Sequence, residues 1–125
     1  MYNKSFLANG LRVVTEAMPY VKSVSLGIWI GSGSRSESTE TLGASHFIEH
    51  MLFKGTEKRT AREISETVDA VGGQLNAFTA KEHTCYYIKV LDTHVELAMD
   101  VLSDMLTGSL FCPEELEKEK EVVLE

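Results

Sequence analysis

The chain has 125 residues, near the commonest size of a single domain, and its 43% hydrophobic content is enough to form a core. A formal net charge of −7 argues against a nucleic-acid-binding surface, and no apolar run reaches the roughly 18 residues of a membrane span. Only two cysteines and no apolar leader at the start predict a cytoplasmic protein, with neither nucleic acid nor membrane as a partner.

The first part of the chain predicts two strands and a long loop. Apolar alternation marks strands at residues 11–15 and 24–30, and Asn9-Gly10 is a hairpin signal ahead of the first. The stretch from Gly31 to Thr41 is rich in glycine and serine, which is typical of a loop. This loop leads into a helix that contains His46.

The rest of the chain alternates helices and strands. Thr60 and Glu63 form a capping-box pattern, which predicts a helix that begins there, runs to about Val71 and ends at Gly72-Gly73. The remaining predicted elements are strands at 74–80 and 84–91, a helix at 93–106 and a last helix from about Pro113. This order predicts an α+β fold with one mostly antiparallel sheet covered by helices.

The run from His46 to His50 carries the strongest functional pattern. Residues four apart on a helix lie one above the other, so His46 and His50 can offer ring nitrogens to one ion. Zinc accepts imidazole nitrogen, and its catalytic sites use three protein ligands and a water. Glu49 is close enough to act as general base toward that water. The order His-x-x-Glu-His is the inverted zincin signature.

Histidines at helical spacing can also be ordinary surface residues. Against this alternative, the neighbouring residues are strongly apolar and predict that the helix is largely buried. Two imidazoles and a carboxylate in a buried helix need partners. The apolar residues are Leu42, Phe47, Ile48, Met51, Leu52 and Phe53.

Two further segments are candidates for the same site. In the acidic last helix, Glu119 shares a face with Leu116 and Val123, which predicts an inward carboxylate that supports or binds a metal. The strand Asn76-Ala77-Phe78 follows a Gly-Gly turn and could lie at a sheet edge, where it would offer backbone groups to an extended peptide. The alternative is that Phe78 is core and Asn76 a turn residue.

Four segments of the chain resemble the pitrilysin/insulinase family of zinc peptidases. Within that family, the resemblance is to the branch of mitochondrial processing peptidase and its bacterial relatives. The match covers nearly the whole chain in the right order. The four segments are His46–Thr56, Gly72–Thr79, Glu82–Thr84 and Glu119–Val123.

The resemblance implies a zinc-dependent endopeptidase, a processing protease that hydrolyses peptide bonds through a metal-activated water. It implies His46 and His50 as ligands of one zinc ion and Glu49 as the base. Glu119 is implied as a supporting acidic residue. A peptide or unfolded polypeptide substrate would add as a strand at residues 76–78.

The third zinc ligand of the family falls at the position immediately after Glu125. Glu125 itself is offset by about 100° on the helix and is a poor substitute. Residues 1–125 are therefore predicted to be an amino-terminal zinc-peptidase domain, truncated just before that ligand and inactive as an isolated piece. A homodimer, or association with carboxy-terminal domains, remains open.

Two other functions are alternatives to a zinc peptidase. S-ribosylhomocysteine lyases also use His-x-x-Glu-His, with a downstream cysteine as metal ligand, and Cys112 lies at a broadly comparable distance. The Gly-Gly-x-x-Asn-Ala segment is foreign to those enzymes. The other alternative is a non-catalytic module that keeps a peptide-binding fold.

Overall fold

The computed structural model describes residues 2–124, apart from the side chains of Ser36, Glu119 and residues 122–124. The described chain alternates strands and helices, which confirms the predicted α+β class. The elements are β1 Tyr2–Phe6, β2 Arg12–Glu16, β3 Ser23–Ile30, α1 Ala44–Met51, α2 Ala61–Asp69, β4 Gln74–Thr79, β5 Thr84–Leu91, α3 Val95–Gly108 and α4 Pro113–Leu124. Among residues 2–124, no helix is long and apolar enough to cross a membrane.

The main sheet has three antiparallel strands in the order β3-β5-β4. In its register, Cys85 of β5 pairs with Trp29 on one side and Phe78 on the other. The helices α2 and α3 cover one face, and the core lies between them and the sheet. Its most deeply buried side chains include Ile64, Val68, Tyr86, Ile88, Val101, Leu102 and Met105.

The first two strands form a separate antiparallel hairpin and do not join the main sheet. The Asn9-Gly10 turn connects them, as the sequence indicated, but β1 itself was not predicted. Every residue of β1 is exposed, and its sequence YNKSF lacks the sustained apolar alternation that marks a half-buried strand. The turn and the predicted strand at residues 11–15 were therefore the local signals for this hairpin.

A polar network fastens the loop after α1 to α3. The side chain of Asp104 is buried in α3, with 6% of the residue exposed. Its carboxylate accepts hydrogen bonds from the Thr56 hydroxyl at 2.7 Å and from the Arg59 guanidinium at 3.0 Å. A buried carboxylate needs such partners. The network therefore fixes the segment from Thr56 to Arg59, which follows α1, against α3.

Gly33 is required where the loop after β3 passes the turn between β4 and β5. A Cβ atom there would lie 2.2 Å from the carbonyl oxygen of Ala80 and 2.8 Å from the backbone nitrogen of His83. We expect Gly33→Ala to lower the free energy of unfolding by about 1–3 kcal/mol, because rigid backbone must move. Urea unfolding measures the change. Gly31→Ala is the control, since its Cβ would meet nothing within 4 Å; equal losses would contradict the prediction.

Candidate metal and peptide site

The helix α1 lies against β4 and α4 and presents the His-x-x-Glu-His run. The prediction that it is largely buried is only partly right. Met51 and Leu52 are buried, but Leu42 is 79% exposed and Ile48 is 45% exposed. An eight-residue helix that packs along one side buries one stripe, so Ile48 on its other side stays in solvent, whereas Leu42 lies in the loop before the helix.

The rings of His46 and His50 converge. Their Nε2 atoms are 3.1 Å apart, and the ring planes cross at 83°. Two nitrogens bound to one tetrahedral zinc at about 2.0–2.1 Å would be about 3.3–3.4 Å apart. His46 is exposed and His50 is half-buried. The pair therefore fits a shared ion that is reached from the surface.

Glu49 is hydrogen-bonded to a residue of the main sheet. Its side chain is half-buried, and its Oε2 accepts a hydrogen bond from the hydroxyl of Thr79, the last residue of β4. The inner face of β4 carries Leu75, Ala77 and Thr79, because exposure alternates along the strand. Thr79 was not singled out from the sequence. Alternation from the core residues of β4 would have placed it on the inner face.

Tyr86 is a neutral neighbour of Glu49. The pKa of its phenol is raised to about 12, first because burial disfavours the phenolate and then because the negative charge of Glu49 opposes a second one. Tyr86 is 1% exposed. It therefore stays protonated over the whole range in which a peptidase would work.

The segment Asn76-Ala77-Phe78 lies on β4, which is an edge strand of the main sheet. Asn76 and Phe78 are exposed on the outer face, so Phe78 is not a core residue and Asn76 is not in a turn. The backbone N–H of Ala77 donates to the side-chain oxygen of Asn76 at 2.8 Å. A side chain thus occupies one backbone donor of this strand.

A cavity lies beside the same strand. Its volume is about 440 Å³, and it extends from the edge of β4 toward α2 and the residues after α1. Its lining includes Phe53, Val68, Gln74, Asn76 and Tyr87. Its walls are mixed, since the polar residues Ser65 and Asp69 also line it, and a cavity of this kind next to an open strand edge suits a side chain of a bound peptide.

Within the described residues, no group of three His, Cys, Asp or Glu side chains is arranged to hold a metal. Cys112, the ligand of the lyase alternative, is therefore not grouped with the two histidines. The side chain of Glu119 lies outside the described residues, and so does Glu125. Their predicted positions relative to a metal stay predictions.

Glu37 caps α1 from the preceding loop. Its two carboxylate oxygens accept hydrogen bonds from the backbone N–H of Gly43 at 2.9 Å and of Ser45 at 2.7 Å. These bonds, from Ser45 and then Gly43, hold the pKa of Glu37 below its ordinary value of 4.5. Sequence reasoning missed Glu37, because a cap from six residues upstream has no fixed spacing.

The lowered pKa of Glu37 predicts a stability difference that depends on pH. The ionised carboxylate makes the cap, so its contribution is complete above pH 4.5 and is lost as pH falls through the lower folded-state pKa. We expect Glu37→Gln to be less stable than wild type near neutral pH. That gap should close as the pH falls below the lowered pKa of Glu37. Urea unfolding of both chains at each pH measures the gap; a constant gap would contradict the prediction.

These features define a class: an α+β domain that presents an inverted zincin motif on a helix beside an edge strand. The sequence model described as Insulinase (Peptidase family M16) matches residues 12–125. The match covers most of the chain, and the chain belongs to this family.

Curated relatives carry corresponding names. The chain is 59% identical over 117 residues to the uncharacterized zinc protease YmxG of Bacillus subtilis, covering 94% of this chain and 29% of that protein. It is 55% identical over 122 residues to the uncharacterized zinc protease SCO5738 of Streptomyces coelicolor, covering 98% and 27%. It is 50% identical over 118 residues to a probable mitochondrial-processing peptidase subunit beta of Arabidopsis thaliana, covering 94% and 22%. The chain spans less than a third of these relatives' length.

Proposed function

We propose that this chain supplies the metal-binding and proton-transfer residues of a zinc endopeptidase of the processing type. The observation that carries the proposal is the 3.1 Å approach of the His46 and His50 Nε2 atoms on the helix that also carries Glu49. Relatives that are named zinc proteases support zinc as the metal. The donor set fits, since neutral imidazole is a good zinc ligand.

Each residue has a separate task in this proposal. His46 and His50 hold the ion. Zinc, when bound, supplies a Lewis acid that lowers the pKa of water toward about 7 and polarises a carbonyl. Glu49 takes the proton from the attacking water and later gives it to the leaving amine. Thr79 engages one oxygen of the Glu49 carboxylate and leaves the other for the proton.

The proposed substrate is a peptide or an unfolded polypeptide that pairs with β4. Strand addition would require the Asn76 side chain to turn away from the N–H of Ala77, which would then bond to the substrate backbone. Phe78 lies on the outer face of the same strand. The cavity beside Asn76 would receive one substrate side chain.

A catalytic zinc ordinarily has three protein ligands, and the described residues offer two. We propose that the third ligand comes from polypeptide beyond residue 125, with Glu119 as a supporting acidic residue. The greater length of the relatives supports this, since they have room for domains that enclose a substrate. The cytoplasmic location and a homodimer stay predictions.

A zinc titration of the 125-residue chain tests the metal site. We expect wild type to bind one Zn²⁺, and His46→Ala or His50→Ala to weaken binding by about tenfold or more, because a ligand is lost. His94→Ala is the control, since His94 lies at the start of α3 and should change affinity little. Competition with a chromophoric chelator measures the Zn²⁺ affinity of wild type and of the three variants. Unchanged affinity in both ligand variants would exclude the site.

A further inference from the structure

The loop between β3 and α1 is fastened to the turn between β4 and β5. The backbone N–H groups of Ser34 and Arg35 donate to the carbonyl oxygens of Ala80 and Lys81 at 3.0 and 2.7 Å. The guanidinium of Arg35 also pairs with the carboxylate of Glu82. The first part of the loop therefore takes its position from the sheet.

The next part of the loop caps the amino-terminal end of α1. The first N–H groups of a helix have no partner within the helix, and the N-cap residue Gly43 has no side chain to offer. Glu37 fills this role, with one oxygen on Gly43 and the other on Ser45. A negative charge is also favoured at this end by the helix dipole.

The capped turn contains one of the two proposed metal ligands. His46 is the third residue of α1 and directly follows Ser45, whereas His50 lies in the next turn. With only eight residues, α1 has few internal hydrogen bonds to hold its first turn in place. Fraying of that turn would therefore move the His46 ring before the His50 ring.

We propose that Glu37 is a positioning residue for the metal site: it fixes the first turn of α1, and with it the His46 ring, relative to the sheet. The sheet also positions Glu49 through Thr79. The proposed ligand His46 and the proposed base Glu49 therefore both take their positions from the sheet. Misplacement of about 1 Å in such a site is costly. This inference rests on the proposed function, since it assigns Glu37 a part in the same site.

The experiment compares Glu37→Gln with Glu40→Gln in the 125-residue chain. The amide has one acceptor oxygen, so Glu37→Gln leaves Gly43 or Ser45 without its partner, while its NH₂ group faces a donor. Glu40 is an exposed carboxylate in the same loop, and its replacement removes the same charge. Three readouts are followed: the amide shifts of Gly43 and Ser45, the nuclear Overhauser contacts between the His46 and His50 rings, and titration with Zn²⁺ alone.

We expect Glu37→Gln to move at least one of the two amide signals upfield, weaken the ring contacts and reduce Zn²⁺ affinity by about threefold or more. Glu40→Gln should change none of these. Thermal melting shows whether the variant is folded; if it is not, Glu37→Asp keeps the charge but reaches one amide, and the same readouts apply.

A merely structural role would give a different result. If the amide signals move but the ring contacts and zinc affinity stay at the wild-type level, the proposed positioning role is wrong. If wild type binds no Zn²⁺, the proposed metal site fails, whereas the ring contacts in the metal-free chain still decide the role of Glu37. Unchanged ring contacts would then overturn it.

Discussion

Glu49→Gln is expected to abolish peptide hydrolysis by the full-length protein while its zinc content stays at the wild-type level. The amide has nearly the shape of the carboxylate and can still accept the hydrogen bond from Thr79. It cannot take a proton from water, and general-base catalysis is worth about 10²–10⁴-fold. Turnover of a fluorogenic peptide and the zinc content of the purified protein are the two measurements.

Two companion variants make this result specific. His50→Ala should lose the metal together with activity, because it removes a proposed ligand. Glu40→Gln removes an exposed carboxylate from the loop before α1 and should keep both. Near-normal turnover by Glu49→Gln would exclude Glu49 as the base. Zinc loss in the same variant would show that Glu49 has a different role, as a ligand.

The 125-residue polypeptide, made on its own, should fold and show no appreciable peptidase activity. Its described residues offer two imidazoles to a metal, so its zinc affinity should be well below that of a three-ligand site. The proposed further domains that enclose a substrate would also be missing, so a peptide at the edge of β4 would not be held in line for attack.

Assays of the short and full-length chains with added zinc test this expectation. The short chain should give a folded circular-dichroism spectrum, weak zinc binding and background turnover. Turnover equal to that of the full-length protein would mean that the third ligand lies within residues 1–125. Failure of the short chain to fold would mean that the core between the sheet and α2 and α3 is insufficient.

The sequence predicted well those features that have a local cause. Both hydrogen bonds of the predicted capping box are present. The backbone N–H of Glu63 donates to the Thr60 hydroxyl, and the Glu63 carboxylate accepts from the backbone N–H of Thr60. The strands β3 to β5 also followed from alternation, because each has one face that is less exposed than the other. The two histidines meet because helix geometry places residues four apart together.

Features that depend on contacts between distant segments were missed. Glu37 reaches α1 across a loop, and Thr79 reaches Glu49 across 30 positions of sequence. Neither contact follows from spacing. The exposure of Ile48 was missed for a related reason, since composition does not tell which side of a short helix meets the rest of the fold.

The position of Trp29 gives the protein a built-in optical reporter. It is the single tryptophan of the chain and is 63% exposed. Its ring is 5.0 Å from that of His83 and 5.7 Å from that of Phe78, so its surroundings combine β3, β4 and the turn that follows β4. We expect emission from this indole to report assembly of the three-stranded sheet, because the neighbouring rings of Phe78 and His83 come from β4 and the turn after it. The signal arises on the outer face, whereas Glu49 meets Thr79 on the inner one.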